Sequence, residues 1–348
     1  MSIPPGTPSA GTPDPVLRAF LIARGLARDQ DEVRWTALAG GVSSDIWRVD
    51  VPPRTFCIKR ALGRLKVAQN WEAPVARNAF EWRWLCFASQ HDSRIVPQPI
   101  AHDPSLGVFA MAYLDPSRYP VWKEQLMRGV ADAAFAARVG ESLVAVHAAS
   151  ARRSDVAETF ATDDIFWAIR LDPYLGTTAA KHPDLAAALN GLASRTASHK
   201  CALVHGDVSP KNILVGADGP VFLDAECAWY GDPAFDVAFC LNHLLLKCMV
   251  RRDRIDAYLA CFASFVERYL ANVTWEARDA FDRRAATLLP GLLLARVDGK
   301  SPVEYLTRDA ERAFVRATAR AWIERPPGAL IALAERWRDG LTRYRDPA

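Results

Sequence analysis

The stretch LVHGDVSPKNILV, residues 203–215, followed after a turn at 216–219 by VFLDAE at 221–226, carries the densest set of chemically capable side chains in the chain. His205, Asp207 and Asn212 fall on one irregular loop, and Asp224 returns a hairpin later, so two short apolar runs present oxygen and imidazole groups at the same end. Phosphoryl transfer needs such a set: one carboxylate to orient an attacking hydroxyl and accept its proton, and further oxygens to hold Mg²⁺ on the phosphates of a nucleotide. The plainer alternative is that Asp207 and Asp224 only cap turns.

A second pairing lies upstream. Lys59 sits in the apolar run FCIKR, where a charged side chain is costly unless paired, and Glu81 lies on a following segment rich in Trp and Phe. The two are read as an ion pair, with Arg60 or Lys66 as more exposed alternatives for the cation and Arg77 or Glu72 as stand-ins for Glu81. Gly40, Gly41, Val42, Ser43 and Ser44 form a glycine turn between two strand-like runs. Glycine there lets backbone N–H groups approach phosphate oxygens, or simply closes a hairpin.

The elements that must position these groups follow from periodicity and breakers. Five prolines among the first fifteen residues predict a flexible arm over 1–13. Asp14 before Pro15, with apolar residues at helical spacing, predicts a helix at 14–27. Short β-branched or aromatic runs at 33–38, 46–51 and 55–59 predict an antiparallel meander. A helix at 71–87 and two more strands at 95–100 and 108–113 complete a small sheet. Nearly everything afterwards reads as helix: 121–149, 162–175, 183–198, 233–249, 253–271, 275–297 and 308–341, the last broken at Pro326. The fold class is α+β. The expected domains are the arm, a β-rich part over 14–113, and a helical part over 114–348 that embeds the hairpin region 201–226.

Composition excludes several other classes. Among 348 residues, 43 basic side chains balance 40 acidic ones, with no block of like charge, so neither nucleic acid nor an anionic membrane surface is an expected partner. Seven cysteines are scattered without a CxxC pair, which points to buried reduced thiols and a cytoplasmic location rather than disulfides or zinc. The first fifteen residues lack the basic and apolar regions of a signal peptide, and the longest apolar runs are broken by Asn242, His243 and Lys247, so neither secretion nor membrane spanning is expected.

With those residues in view, HGDVSPKN followed by LDAE resembles the catalytic core of the aminoglycoside phosphotransferase and choline kinase superfamily, small-molecule relatives of the protein kinases. Residues 33 to about 306 fit that family's order of elements. The resemblance implies a protein-kinase-like two-lobed fold, with a small antiparallel-sheet N-lobe and a larger helical C-lobe, and transfer of the γ-phosphate of ATP to a hydroxyl of a small molecule. It implies Asp207 as catalytic base and Asn212 and Asp224 as Mg²⁺ ligands. On the nucleotide side it implies Gly40, Gly41, Ser43 and Ser44 over the phosphates, Lys59 on the phosphates with Glu81 fixing it, and a hinge at 110–113, including Met111 and Tyr113, whose backbone meets adenine. His205 and Asp236 are expected to support the loop, and Asp232 to cap the helix after Pro233. Lys211, where many relatives have a small residue, either approaches the γ-phosphate or is solvated, and Glu226 either assists a metal or is a surface group.

Departures from the protein-kinase pattern narrow the acceptor. Gly206 stands where many protein kinases have the Arg that holds a phosphorylated activation loop, and only residues 225–231 separate Asp224 from the next helical segment, too few for a peptide-binding loop. A small-molecule acceptor is expected. Its candidate contacts are Arg296, Asp298 and Lys300 around Gly299, and Trp229 and Tyr230 beside the metal loop, with helix capping and aromatic core packing as the plainer alternatives. An aminoglycoside-inactivating enzyme and a nucleotide-binding regulatory module are the rival readings; the lack of a dense acidic surface weighs against the first and the intact Asp207 against the second. The oligomeric state is not legible.

Overall fold

A computed structural model describes residues 13–38, 44–62 and 76–344, which divide into two units, one ending at Asp115 and the other starting at Pro116. Residues 1–12 of the expected arm and the turn residues Gly40, Gly41, Val42 and Ser43 lie outside the described residues, as do Lys66 and Glu72.

In the first unit, helix α1 (Pro15–Ala23) starts where the Asp14 carboxylate accepts the Val16 N–H at 3.0 Å and Pro15 supplies a preset φ. It ends sooner than the expected residue 27, because Gly25 takes a φ of +65°. Strands β1 (Arg34–Ala37), β2 (Ser44–Val51) and β3 (Arg54–Ala61), helix α2 (Arg77–His91), and strands β4 (Pro99–Asp103) and β5 (Val108–Ala112) follow. The sheet is antiparallel in the order β1-β2-β3-β5-β4. Leu17, Phe20 and Leu21 of α1 bury against Val49, Phe56, Ile58 and Val108 of the sheet. This leaves β3 central and covered, with Lys59 between Ile46 and Phe109 on its neighbours.

The second unit opens with α3 (Trp122–Met127) and α4 (Ala133–Ser150). The single helix expected over 121–149 is divided here. Gly129 turns at φ +85°, and the Asp132 carboxylate accepts the N–H groups of Ala134 and Phe135 at 2.8 and 3.1 Å, which starts a new helix. After α5 (Ser154–Thr159) and α6 (Asp163–Phe166), residues Trp167–Gly176 form a π-helical segment rather than the α-helix expected through 175. Pro173 inside it has no N–H to give and crowds the carbonyl four residues back, which a wider winding relieves. Helices α7 (Thr177–Lys181) and α8 (Ala186–Ser198) lead to the embedded β region.

There the hairpin expected across the turn at 216–219 forms, but without the apolar run that precedes it. Strand β6 (Ala202–Val204) does not pair with the following strands β7 (Ile213–Val215) and β8 (Pro220–Phe222), which form their own hairpin; its partner is β9 (Trp229–Gly231). Helices α9 (Ala234–Val250), α10 (Ile255–Ala271), α11 (Arg278–Asp298), α12 (Asp309–Glu324) and α13 (Leu330–Arg343) complete the chain. Helix α9 is buried on every face from Ala234 to Met249, as expected of a helix apolar all round at the centre of a helical unit. Three of its polar residues, Asp236, His243 and Lys247, are spaced by seven and four, so they share one stripe, with Phe239 between them. Among the described residues no helix is long and apolar enough to cross a membrane, and all seven cysteines are unpaired.

Because α9 fills the middle of this unit, truncating a core side chain there is expected to be felt globally. Leu244→Ala, at a fully buried position, should lower the unfolding free energy by roughly 2–5 kcal/mol. A urea midpoint equal to that of the parent chain would show that α9 is not central to stability.

Candidate active site

The loop after β6 is shaped by three constraints. Gly206 adopts φ +80°, and a Cβ there would lie 2.7 Å from the Cys227 Cβ and carbonyl oxygen, so a side chain is excluded by both conformation and space. The fully buried Asp236 carboxylate accepts the His205 N–H at 2.7 Å on Oδ2 and the Gly206 N–H at 2.8 Å on Oδ1. His147 adds a third contact to Asp236 Oδ2 at 3.2 Å, its other ring nitrogen lying 2.6 Å from the Tyr269 hydroxyl. Two backbone amides on one carboxylate leave the loop little freedom.

His205 carries the constraint onward. Its Nδ1 accepts the Asp207 N–H at 3.1 Å, so Nε2 holds the proton that it donates to the Leu223 carbonyl at 3.1 Å. Burial pushes its pKa down despite the Asp236 carboxylate, which keeps the ring neutral and this tautomer in place. The Leu223 N–H in turn donates to the Asn212 carbonyl at 2.9 Å, so the backbone ties Asn212 to the residue next to Asp224.

Asp207 is buried, with its Oδ2 2.9 Å from Arg170 Nη2 and 3.3 Å from Lys211 Nζ. Burial alone would raise the carboxyl pKa; the Lys211 and Arg170 cations outweigh it and hold the group below the usual carboxylate range. Lys211 is half exposed, and the carboxylate raises its own pKa. Arg170 comes from the π-helical segment and also donates to the carbonyls of Gly206 at 2.5 Å and Ile169 at 2.7 Å. It was not among the sequence candidates, since one Arg in an amphipathic stretch carries no signal that it reaches a loop 37 residues later.

Asn212 closes the short 3₁₀ turn Pro210–Asn212, and its Nδ2 donates to the Asp207 carbonyl at 3.1 Å. That bond turns Oδ1 away as a spare acceptor. Asp224 lies just past β8 with φ +67°, a strained conformation for a side-chain-bearing residue, of the kind retained where position matters more than comfort. An amide oxygen and a carboxylate are hard oxygen ligands, the donor set that suits Mg²⁺, so these residues fit the ion.

In the first unit, Lys59 Nζ and Glu81 Oε1 meet at 2.8 Å with both side chains buried. The weighed alternatives are engaged otherwise: Arg60 pairs with Asp14 at 2.6 Å, and Arg77 donates to the Leu62 carbonyl at 2.7 Å. Ser44 is buried at the start of β2; Met111 is a β5 residue facing Cys57 and Pro99, and Tyr113 just beyond it lies under the Arg48 guanidinium.

A cavity of about 160 Å³ opens beside Asp207, lined also by Lys211, Phe239, His243, Lys247 and Arg296. Of the acceptor candidates only Arg296 reaches it. Asp298 is engaged by Arg316 at 2.7 and 2.8 Å and by His182 at 2.9 Å, and the Lys300 N–H donates to the Pro173 carbonyl at 2.9 Å. Gly299 stops α11, its N–H donating to the Ala295 carbonyl at 2.9 Å, and a Cβ there would meet that same oxygen at 2.5 Å. Trp229 stacks on Phe166 at 4.3 Å between ring centres and donates to Asp163, while the Tyr230 hydroxyl donates to the Cys201 carbonyl. Neither lines the cavity; both are core aromatics. Asp232 caps α9 through the Ala234 N–H at 3.0 Å and is held by Arg284 at 2.9 Å. His243 and Lys247, treated in the sequence only as breaks in an apolar run, are cavity residues.

A loop of this build, beside a hairpin followed by a strained carboxylate, in a helical unit that follows an antiparallel-sheet unit, has the make-up of a phosphotransferase. The family model for the phosphotransferase enzyme family matches residues 34–281, and the chain belongs to that family. Methylthioribose kinase of Enterobacter sp. (strain 638) is 26% identical over 265 residues, 64% of this chain and 65% of that protein. Methylthioribose kinase of Pectobacterium atrosepticum is 28% identical over 268 residues, with the same coverage of 64% and 65%. The chain thus spans just under two thirds of the length of these curated relatives. In fold it is similar to the choline kinase from Cryptosporidium parvum Iowa II, with a TM-score of 0.54 and 11% identity over 93% of this chain and 100% of that one.

The Lys59–Glu81 pair is directly testable. Lys59→Met or Glu81→Gln alone removes one member of a buried charge pair and is expected to cost about 3–5 kcal/mol, with the double variant recovering at least about 1 kcal/mol of the summed loss. Additive losses in a double-mutant cycle, read by thermal unfolding, would show that the two side chains do not act as a pair.

Proposed function

We propose that this chain is an ATP- and Mg²⁺-dependent kinase that moves the γ-phosphate to a hydroxyl of a small molecule. The observation that carries the reading is Asp207: a buried carboxylate kept ionised by two cations at the wall of a small cavity, on the loop whose far end bears Asn212. A regulatory module that only binds a nucleotide has no chemical need for such a group. The names of the curated relatives support a small hydroxylated acceptor, and the unpaired cysteines suit a cytoplasmic location.

In this reading the acceptor hydroxyl enters the cavity and donates to Asp207, which holds it in line and takes its proton late in a loose transition state. Arg170 and Lys211 keep Asp207 anionic, so it is always available as acceptor. Asn212 Oδ1 and the Asp224 carboxylate are the proposed Mg²⁺ ligands; bound there, the ion would neutralise charge on the transferring phosphoryl group. Lys59, oriented by Glu81, is proposed to meet nucleotide phosphates, Gly40, Gly41, Ser43 and Ser44 are proposed as further phosphate-binding residues, and the backbone of Met111 and Tyr113 is proposed to meet the base.

Asp207→Asn preserves shape and hydrogen-bond reach but removes the charge and the proton acceptor. Turnover is expected to fall at least about a hundredfold while ATP affinity changes by less than about threefold. Calorimetric ATP titration beside ADP release with a panel of polyols and sugar acids separates the two effects; loss of ATP binding together with the rate would make Asp207 a structural or metal residue.

Asp224→Ala should abolish transfer and leave the far-ultraviolet circular dichroism unchanged, because the side chain lies at the end of a short strand and is only half buried. Near-normal ADP release from this variant at saturating Mg²⁺ would remove Asp224 from the metal site.

A further inference from the structure

The walls of the Asp207 cavity carry more positive charge than they can use. Two carboxylates line it, and each already has a cation: Asp207 pairs with Lys211 at 3.3 Å and Glu304 with Lys123. Lys247 and Arg296 are left over. Lys247 is 1% exposed on α9, and its ammonium lies 3.3 Å from the centre of the Tyr305 ring. Among the described residues it makes no ion pair. Burial pushes its pKa down to about 7, the Lys123 and Arg296 cations working in the same direction against the distant help of Glu304. Arg296, 9% exposed, spends Nη1 on the Tyr174 hydroxyl at 3.2 Å and on Ser301, while its Nε is buried without an acceptor. No carboxylate of the described residues meets it.

Two further polar atoms on the same wall are unmatched. Ser209 Oγ and His243 Nε2 are buried without a hydrogen-bond partner. His243 Nδ1 faces the Tyr305 hydroxyl at 3.3 Å, and burial keeps the ring neutral; with Nδ1 as acceptor for that O–H, Nε2 is a donor. Buried donors and cations left unmatched in a folded protein cost free energy, and a ligand that matches them recovers it. Everything unmatched here is a donor or a cation, apart from a hydroxyl that can act as either.

We propose that the acceptor is an anion: a small hydroxylated molecule whose carboxylate or phosphate monoester group is received by Lys247 and Arg296 while its hydroxyl meets Asp207. Size agrees, since a cavity of roughly 150 Å³ elsewhere accommodates a six-carbon ring. The cavity touches Asp207 but neither Asn212 nor Asp224, which places it on the acceptor side of the candidate base rather than the metal side. A polycationic acceptor would instead meet like charge at Lys247 and Arg296, with both lining carboxylates already engaged. The proposal rests on the kinase reading for the role of Asp207, but not for the anion site itself.

The test compares matched probes on the full chain: D-glycerate with glycerol, D-ribonate with ribitol, and D-ribose 5-phosphate with D-ribose, each by calorimetric titration and by Asp207-dependent ADP release. Within at least one pair the anionic member is expected to bind at least about 30-fold more tightly, the scale of a desolvated charge contact; which pair responds distinguishes carboxylate from phosphate. Lys247→Met, and separately Arg296→Leu, should narrow that ratio to within about threefold. Neutral members binding as well as or better than anionic ones, or no member binding at all, would overturn the proposal, and if they are phosphorylated the kinase reading survives. Anion binding that disappears in Lys247→Met, without phosphoryl transfer to any probe, would uphold the anion site and count against the kinase reading alone.

Discussion

One buried carboxylate organises the site. Asp236 takes two successive backbone amides of the loop, His205 and Gly206, and a third contact from His147, with no exposure to water. Charge-assisted bonds of this kind are stronger than neutral ones, and in a low-dielectric interior neither partner has water to turn to. The result is that the loop is bolted to α9 at one point, and the direction of Asp207 follows from it. His205 then relays the same constraint across to Leu223 and so to Asn212 and Asp224.

Helix α9 does more than anchor. The stripe of Asp236, Phe239, His243 and Lys247 runs from the loop into the cavity, so the element that fixes the candidate base also supplies much of the neighbouring wall. A shift of α9 along its axis would therefore move the loop and the cavity together. Polar groups on a helix buried all round are costly; in this stripe Asp236 has its partners in the loop and His243 and Lys247 face the cavity, where such groups are tolerated.

What the sequence disclosed and what it hid divide along the range of the signals. The strand run at 55–59 and the cap at Asp14 are local signals; the strand forms over Arg54–Ala61, around that run, and the cap where its chemistry puts it. The HGDVSPKN loop was legible because its residue types and spacing belong together. Arg170 was not, because its contact with Asp207 depends on a π-helical winding that no apolar period announces. Lys247 and His243 looked like interruptions in an apolar run; the missed signal was their spacing from Asp236, which only matters once α9 is known to be buried on all sides. Trp229 and Tyr230 lie close to Asp224 in sequence, yet β9 turns them into core positions by pairing with β6. The break at 128–132 was a local signal left unused, since Gly129 and Asp132 are a helix stop and start in the space of four residues.

In the proposed kinase, the charge environment of Asp207 sets what kind of base it would be. A buried carboxylate without help takes up a proton more readily than one in water, which would make it a stronger base but a frequently neutral one. Arg170 and Lys211 reverse that balance and hold the group well toward its ionised form. A carboxylate so stabilised is a weak proton acceptor, and proton abstraction before phosphoryl transfer would run uphill. In a loose transition state that is no handicap, because the hydroxyl needs to be aimed first and becomes acidic only as its bond to phosphorus forms. Arg170 therefore trades basicity for orientation: it fixes the Asp207 oxygen in place through the same guanidinium that holds the Gly206 carbonyl. Alignment of this sort is worth several orders of magnitude in rate on its own. The arrangement suits a positioning carboxylate whose proton affinity matters only at the end of the reaction.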